Sequence, residues 1–255
     1  MIDLKRAKIV MVKILLNIDL ICQKHRINYW IDFGTLLGAA RHNGFIPWDD
    51  DIDITMPRED YNRFLTVAQQ ELDDDYLLDN NKYTRRKHIL TTKVRHKRSV
   101  YVEHGFEGDQ PTGYNGIFVD IFPMDRISKK NVKKYNYLRR LYHISPYKPK
   151  YKSVKTKTIN YALSFLILIR PLLIRLMTKL LDENGEMYIL GQEIPFPLHY
   201  PFDLVFPLKK ICFESQYFNC PKLERDILKW LFGDFMKMPP ENQRRIHARD
   251  IRFFD

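Results

Sequence analysis

Along the first thirty residues, apolar side chains recur every three or four positions. Ile9, Val12, Leu16, Leu20 and Ile27 lie at that spacing, which predicts an amphipathic helix over residues 3–26 that packs by one face, with a membrane anchor as the alternative. The period then changes. Tyr29 to Phe33 is a short aromatic and β-branched run and predicts a strand, after which Gly34-Thr35 opens "TLLGAAR", a run of good helix formers. "HNGFIP" is turn chemistry. In "DDDIDITM", Ile52 and Ile54 alternate with Asp51 and Asp53. A strand there turns both isoleucines to the core and both carboxylates to the opposite face. Pro57 starts a helix running to about Leu72, with Glu59 and Asp60 in the first turn, where acids suit the helix dipole.

Further along, His88 to Arg95 and Ser99 to Val102 predict strands, followed by a Gly-rich loop, "HGFEGDQPTGYNG". "NGIFVDIFPMD" predicts an apolar strand interrupted by Asp120, with Asp125, after Pro123, in a loop or cap. Residues 129–157 are strongly basic with interleaved tyrosines, either a solvated helix and loop or a platform for an anionic surface. In residues 159–182 the apolar run is too short to span a bilayer and is broken by Arg170, Arg175 and Lys179. It reads as a core helix pair kinked at Pro171, with an interfacial helix as the alternative. Pro221 to Phe232 predicts a last helix, closed by Gly233. With no repeat and no linker, the pattern predicts one α/β (α+β) domain over 1–255, a mixed sheet flanked by helices, with a helical, basic and apolar insertion at 126–200.

Composition narrows the partners. The 255 residues carry 42 Lys and Arg against 31 Asp and Glu, a net charge of +11, which suits phosphate-bearing substrates or an anionic membrane surface. No zinc-finger spacing and no Gly-rich RNA-binding signature is present, so nucleic acid is not an expected partner. Three scattered cysteines, Cys22, Cys212 and Cys220, do not make a disulfide framework and fit a reducing cytoplasm. The charges of the first helix break any signal-peptide core.

Against that basic background, "WDDDID" concentrates negative charge. Asp51 and Asp53, at i and i+2 on a strand, lie about 7 Å apart at Cα. Without a cation they repel and raise each other's pKa; a divalent metal turns the repulsion into a site of the kind used where phosphates react. Asp120, a charge inside an apolar run, needs compensation of the same sort and is the candidate third acid, favoured over Asp125. Gly34 and Thr35 at a helix start offer amide and hydroxyl donors to a phosphate, or serve as a tight turn and an N-cap. Arg41, His42, Lys93 and Arg95 are phosphate clamps or ordinary surface charges. Trp30, Trp48, Tyr101 and Phe122 are cage aromatics for a quaternary ammonium or core residues.

"WIDFGTLLGAARHNGFIPWDDDIDITMPREDYNRF" followed by "GIFVDIFPMD" resembles the LicD family of phosphorylcholine transferases, relatives of the fukutin-type phosphosugar transferases within the nucleotidyltransferase-fold superfamily. "VFPLKKICFESQYFNCPKLERDILKWLFGDFMKMPPENQ" is similar to that family's closing segment. The resemblance implies a nucleotidyltransferase-like core, with Gly34-Thr35, Asp51/Asp53 and Asp120 on the superfamily's Gly-Ser, acid-x-acid and third-acid positions. Asp49 is implied as a secondary metal ligand and Asp50 as a structural, hydrogen-bonding residue. It implies phosphocholine transfer from CDP-choline to a sugar hydroxyl of a cell-surface glycan (lipopolysaccharide or teichoic acid), with Mg²⁺ or Mn²⁺ on Asp49, Asp51, Asp53 and Asp120. The donor would contact Gly34, Thr35, Arg41, Lys93 and Trp48, and Asp120 would be the base or only a ligand. A lipid-linked acceptor would place the protein in the cytoplasm, peripheral on the inner face of the membrane. The alternatives are transfer of another phospho-group (alditol phosphate or nucleotidyl) and a non-catalytic ligand-binding protein.

Overall fold

The computed structural model describes residues 3–80, 91–104, 115–143 and 169–254. The fold is mixed α/β and comprises two compact units, one built from residues 1–124 and 203–255 and the other from Asp125–Phe202. The strand expected over 88–95 falls partly, and the Gly-rich loop largely, outside the described residues, as does the segment from 144 to 168.

In the first unit, α1 (Leu4–His25) is capped by Asp3, whose side chain accepts the Arg6 N–H, and ends on Arg26 in the left-handed conformation. Its buried face is Ala7, Met11, Ile14, Leu15, Ile18, Ile21 and Cys22. The stripe read from the sequence is displaced from this face: Ile9 is 52% and Leu20 63% exposed, Val12 and Leu16 are half-buried, and Ile27 is buried. Both stripes have helical spacing, but Ile9 and Leu20 share their side with Lys5, Lys13 and Lys24, which draw that side into water.

β1 is only Trp30–Ile31, because Asp32 already caps α2 (Phe33–His42). β2 (Asp53–Pro57) is followed by α3 (Arg58–Glu71), which carries Glu59 and Asp60 in its first turn as the pattern predicts. β3 (Tyr76–Asp79), β4 (Thr92–His96), β5 (Ser99–Glu103) and β6 (Phe118–Ile127) follow. The main sheet of this unit runs β1-β2-β6-β4-β3. Its pairings are antiparallel except β2 with β6, which is parallel and sets Asp53 opposite Asp120. Ile52, Ile54, Val94, Val119 and Ile121 are wholly buried behind it, with Phe64 of α3.

Asp125 lies within β6 and is buried, not in a loop or cap. Pro123 does not end the strand. Since the Asp120 N–H points to Ile52 of the β2 side, the missing donor of Pro123 falls on the β4 side, beyond the last β4 pair, Thr92 with Ile121. Later in the unit come a hairpin of β9 (Lys209–Phe213) and β10 (Gln216–Cys220), the C-terminal strand β11 (Ala248–Phe253) paired with β5, and a helix over Glu224–Phe232. That helix starts three residues later than Pro221 suggests. All three cysteines are free.

In the second unit, α4 (Val132–His143) turns the tyrosine-lysine stretch into an amphipathic helix: Val132, Tyr135 and Leu138 are buried while Lys133, Lys134 and Arg140 face water. Those apolar residues pack with Ile127, Leu173, Met177, Met187 and Ile189. Pro171 is the second residue of α5 (Arg170–Thr178), where a missing N–H costs nothing. β7 (Met187–Leu190) and β8 (His199–Pro201) pair beside them. Among the described residues, no helix is long and apolar enough to cross a membrane.

The two candidate faces of α1 are distinguished by substitution. Ile18→Ala should cost about 2–5 kcal/mol, whereas Leu20→Ser should stay within about 0.5 kcal/mol. Denaturant unfolding of both variants measures this, and the reverse order would contradict the packing.

Candidate active site

Asp49, Asp50 and Asp51 lie on the loop from Trp48 to Ile52 that leads into β2, and two polar contacts join the elements beside it. Asp32, fully buried, accepts the Phe33 N–H through Oδ1 (2.9 Å) and both Trp30 Nε1 (3.1 Å) and Thr55 Oγ1 (2.9 Å) through Oδ2. One carboxylate thereby joins β1, α2 and β2. The Thr35 hydroxyl, also buried, accepts the Asp53 N–H at 2.8 Å. Thr35 is therefore neither the N-cap, which is Asp32, nor an exposed donor; it holds the backbone from which Asp53 projects. At Gly34 a Cβ would sit 2.8 Å from Asp49 Oδ2. A side chain there would push the Asp49 carboxylate back, so its present approach to the first turn of α2 uses the space glycine leaves.

The alternation expected of a strand survives although residues 49–52 are irregular. Asp49, Asp51 and Asp53 form one electrostatic group, while Ile52 and Ile54 are buried and Asp50 is engaged elsewhere. Asp49 is raised above its usual range by burial and then by the Asp50 charge. Burial, followed by the Asp49 charge, pushes Asp51 up to about 8. Asp53 is driven well above the carboxylate range by burial, then by Asp51 and Asp120. Asp120 reaches the group from β6: its Oδ1 accepts Thr91 Oγ1 (2.5 Å) and its Oδ2 accepts Lys93 Nζ (2.6 Å).

Three cations oppose this charge. Lys93, paired with Asp120, lies 3.4 Å from the centre of the Phe118 ring. Lys8, from α1, donates to the carbonyls of Ile46 and Pro47 (both 3.2 Å) and draws Asp49 downward. His247 Nδ1 lies 3.6 Å from Asp51 Oδ2 and 3.1 Å from Asp50 Oδ1. Its hydrogen bond to Asp50 holds the imidazole up at about 9, against its burial. Among the described residues, Asp49, Asp51 and His247 each place a ligand atom within 4.8 Å of the others. Asp50 stays below the usual range: burial pushes it up, but hydrogen bonds from His247, Ala248 and Tyr101 outweigh that.

The other sequence candidates are occupied. Arg41 donates to the Phe235 carbonyl (2.8 Å) and to His42 (3.0 Å). Arg95 pairs with Asp79 (2.6 Å) and donates to the Gly116 carbonyl. Trp30 and Tyr101 are core residues whose polar tips serve Asp32 and Asp50, and Phe122 packs edge-on against Phe33. Trp48 is half-buried and carries the Arg244 guanidinium 4.7 Å over its ring. Sequence reasoning missed Lys8, Thr91 and His247; each is distant in the chain, and no local pattern marks it.

Clustered carboxylates offer hard oxygen ligands of the kind that divalent cations take where phosphates react. Residues 26–157 match the family model for LicD/FKTN/FKRP, nucleotidyltransferase domain. The chain belongs to that family. It is 26% identical over 265 residues to the lipopolysaccharide cholinephosphotransferase LicD of Haemophilus influenzae, covering 96% of each chain. A shorter likeness, 53% over 34 residues, links it to the mouse ribitol 5-phosphate transferase FKRP, covering 13% of this chain and 7% of that one. An uncharacterized Rickettsia typhi protein, RT0683, is 33% identical over 116 residues, 44% of this chain and 37% of its own. Family and full-length relative together mark the chain as a transferase.

The raised carboxyls set a pH dependence. Asp51 keeps its proton up to about 8 when folded but releases it near 3.8 when unfolded. Between those values the folded state binds the extra proton, so metal-free stability falls as pH rises from about 4 to about 8. His247 acts at the upper end: its contribution, present below about 6.5, is lost as pH rises through about 9. Asp51→Asn should flatten the fall and raise the metal-free thermal midpoint at pH 8, by about 2–4 °C for each kcal/mol relieved. Thermal unfolding across the pH range tests this; parallel curves for the two proteins would refute it.

Proposed function

We propose that this protein is a metal-dependent transferase that moves phosphocholine from CDP-choline to a sugar hydroxyl of a cell-surface glycan, with release of CMP. The observation that carries the reading is the end-to-end similarity to the Haemophilus lipopolysaccharide enzyme, and the acid cluster supplies chemistry that suits it. Asp49, Asp51, Asp53 and Asp120 offer hard oxygen ligands whose mutual repulsion a divalent cation relieves. Mg²⁺ or Mn²⁺ on them would neutralise the donor diphosphate and the departing CMP.

The chain's own residues do the rest. Gly34 leaves room for Asp49 and brings the first-turn amides of α2 beside the cluster, where a phosphate is favoured. Thr35 fixes Asp53, and Lys93 and Thr91 fix Asp120. Each Asp120 oxygen retains a second lone pair, and we assign to this carboxylate the proton of the acceptor hydroxyl. Lys8 and His247 add positive charge on the side of Asp49 and Asp51. For the choline headgroup, Trp48 is the candidate ring: it is half-exposed, and the headgroup would take the place on its face that the Arg244 guanidinium now holds. The likeness to a ribitol 5-phosphate transferase supports a second reading, in which the same acids serve an alditol-phosphate donor. Because the acceptor is a surface glycan assembled on a lipid, we place the protein on the cytoplasmic face of the membrane, drawn there by exposed basic residues such as Lys129, Lys130, Lys133 and Lys134.

Mass spectrometry of CMP release, with and without Mg²⁺, should single out CDP-choline over CDP-ethanolamine and CDP-ribitol. Asp53→Asn should lower that turnover by at least about a hundredfold, the scale of a lost electrostatic stabiliser. Preference for CDP-ribitol would establish the second reading, and metal-independent turnover would overturn both. Vesicles in the same assay decide location: pelleting with anionic lipid at low salt is expected, and none would remove the membrane.

A further inference from the structure

Asp50 stands between two of the acids and does a different job. It is fully buried. Oδ1 accepts the His247 N–H (3.0 Å) and His247 Nδ1 (3.1 Å), and Oδ2 accepts the Tyr101 hydroxyl (2.8 Å) and the Ala248 N–H (2.6 Å). Tyr101 lies on β5 and Ala248 on β11, strands that pair with each other. One carboxylate thus ties the acidic loop to both strands. It also carries His247 to within 3.6 Å of Asp51. His247 and Ala248 lie some ninety positions beyond residue 157, where the family match ends.

We propose that Asp50 is a positioning residue: by clasping β11 and Tyr101 it fixes the loop conformation that aims Asp49 and Asp51 together, and the C-terminal strand is therefore part of the site. Asp50 is turned to β5 and β11, while Asp49 and Asp51 on either side of it share their charge with Asp53. A rotation that freed Asp50 would turn Asp49 and Asp51 away from Asp53. The inference rests on the reading of the acids as a metal site, and adds to it a dependence on residues outside the matched domain.

The probe is Mn²⁺ alone, followed by electron paramagnetic resonance, on the full chain, Asp50→Asn and Tyr101→Phe. In Asp50→Asn a backbone N–H, of His247 or Ala248, loses its acceptor whichever way the amide is turned. Mn²⁺ binding should weaken about 10–100-fold in that variant, the usual scale for losing a residue that orients metal ligands. Tyr101→Phe removes one of the four donors, leaves the ring, and should weaken binding by about three- to tenfold, below the range for losing the whole carboxylate. Circular dichroism and melting run alongside, because a purely structural role would lower the midpoint and leave the Mn²⁺ affinity of the folded protein unchanged. Should Asp50→Asn fail to fold, Tyr101→Phe decides alone. Folded variants that bind Mn²⁺ as the parent does would overturn the positioning role while leaving the metal site standing. A parent that binds no Mn²⁺ would overturn both.

Discussion

Carboxylates repel, and the first unit of this protein gathers four of them in one place. Burial and mutual repulsion drive Asp51 and Asp53 far from their ordinary ionisation, a state that a loose scaffold would relieve by letting the side chains swing apart. The fold prevents that. Parallel pairing of β2 with β6 sets Asp53 opposite Asp120; Thr35 holds the Asp53 backbone, and Gly34 admits Asp49 against α2. The apolar side chains of Ile52 and Ile54 anchor the same segment in the core. Positive charge comes from Lys8, Lys93 and His247, on three different elements.

The same residue type performs three tasks here, separated by donors rather than by chemistry. Asp32 and Asp50 are each fully buried and fully supplied with hydrogen bonds, so they act as joints. Asp120 is shared between a lysine and a threonine. Asp49, Asp51 and Asp53 have too few cations among them, and that deficit is what suits them to a divalent ion. A buried carboxylate with several donors belongs to the framework; one surrounded by other carboxylates is left to attract a cation.

What could be read from the sequence is what local patterns encode. Isoleucines alternating with aspartates mark the inward and outward sides of residues 51–54, and an aspartate inside an apolar run marks Asp120. The acids in its first turn mark the start of α3. What topology decides was not legible. Two apolar stripes on α1 have equal spacing, and the charges beside Ile9 and Leu20 select the other. Lys93 reads as a phosphate clamp or a surface charge, and only the register of β4 reveals its pairing with Asp120. His247 lies in a polar, arginine-rich stretch with no signal of its own, and reaches the acids only because β11 returns to pair with β5. Pro123 suggests the end of a strand, yet its missing donor points where β4 has already stopped.

The central claim is that the acid cluster is a site for a divalent cation. The most direct measurement is the thermal midpoint of the protein as Mg²⁺ is titrated at constant ionic strength. A saturable rise is the predicted result, worth about 2.7 kcal/mol at a hundredfold excess over Kd. A midpoint that moves no further with Mg²⁺ than with NaCl of equal ionic strength would contradict the account.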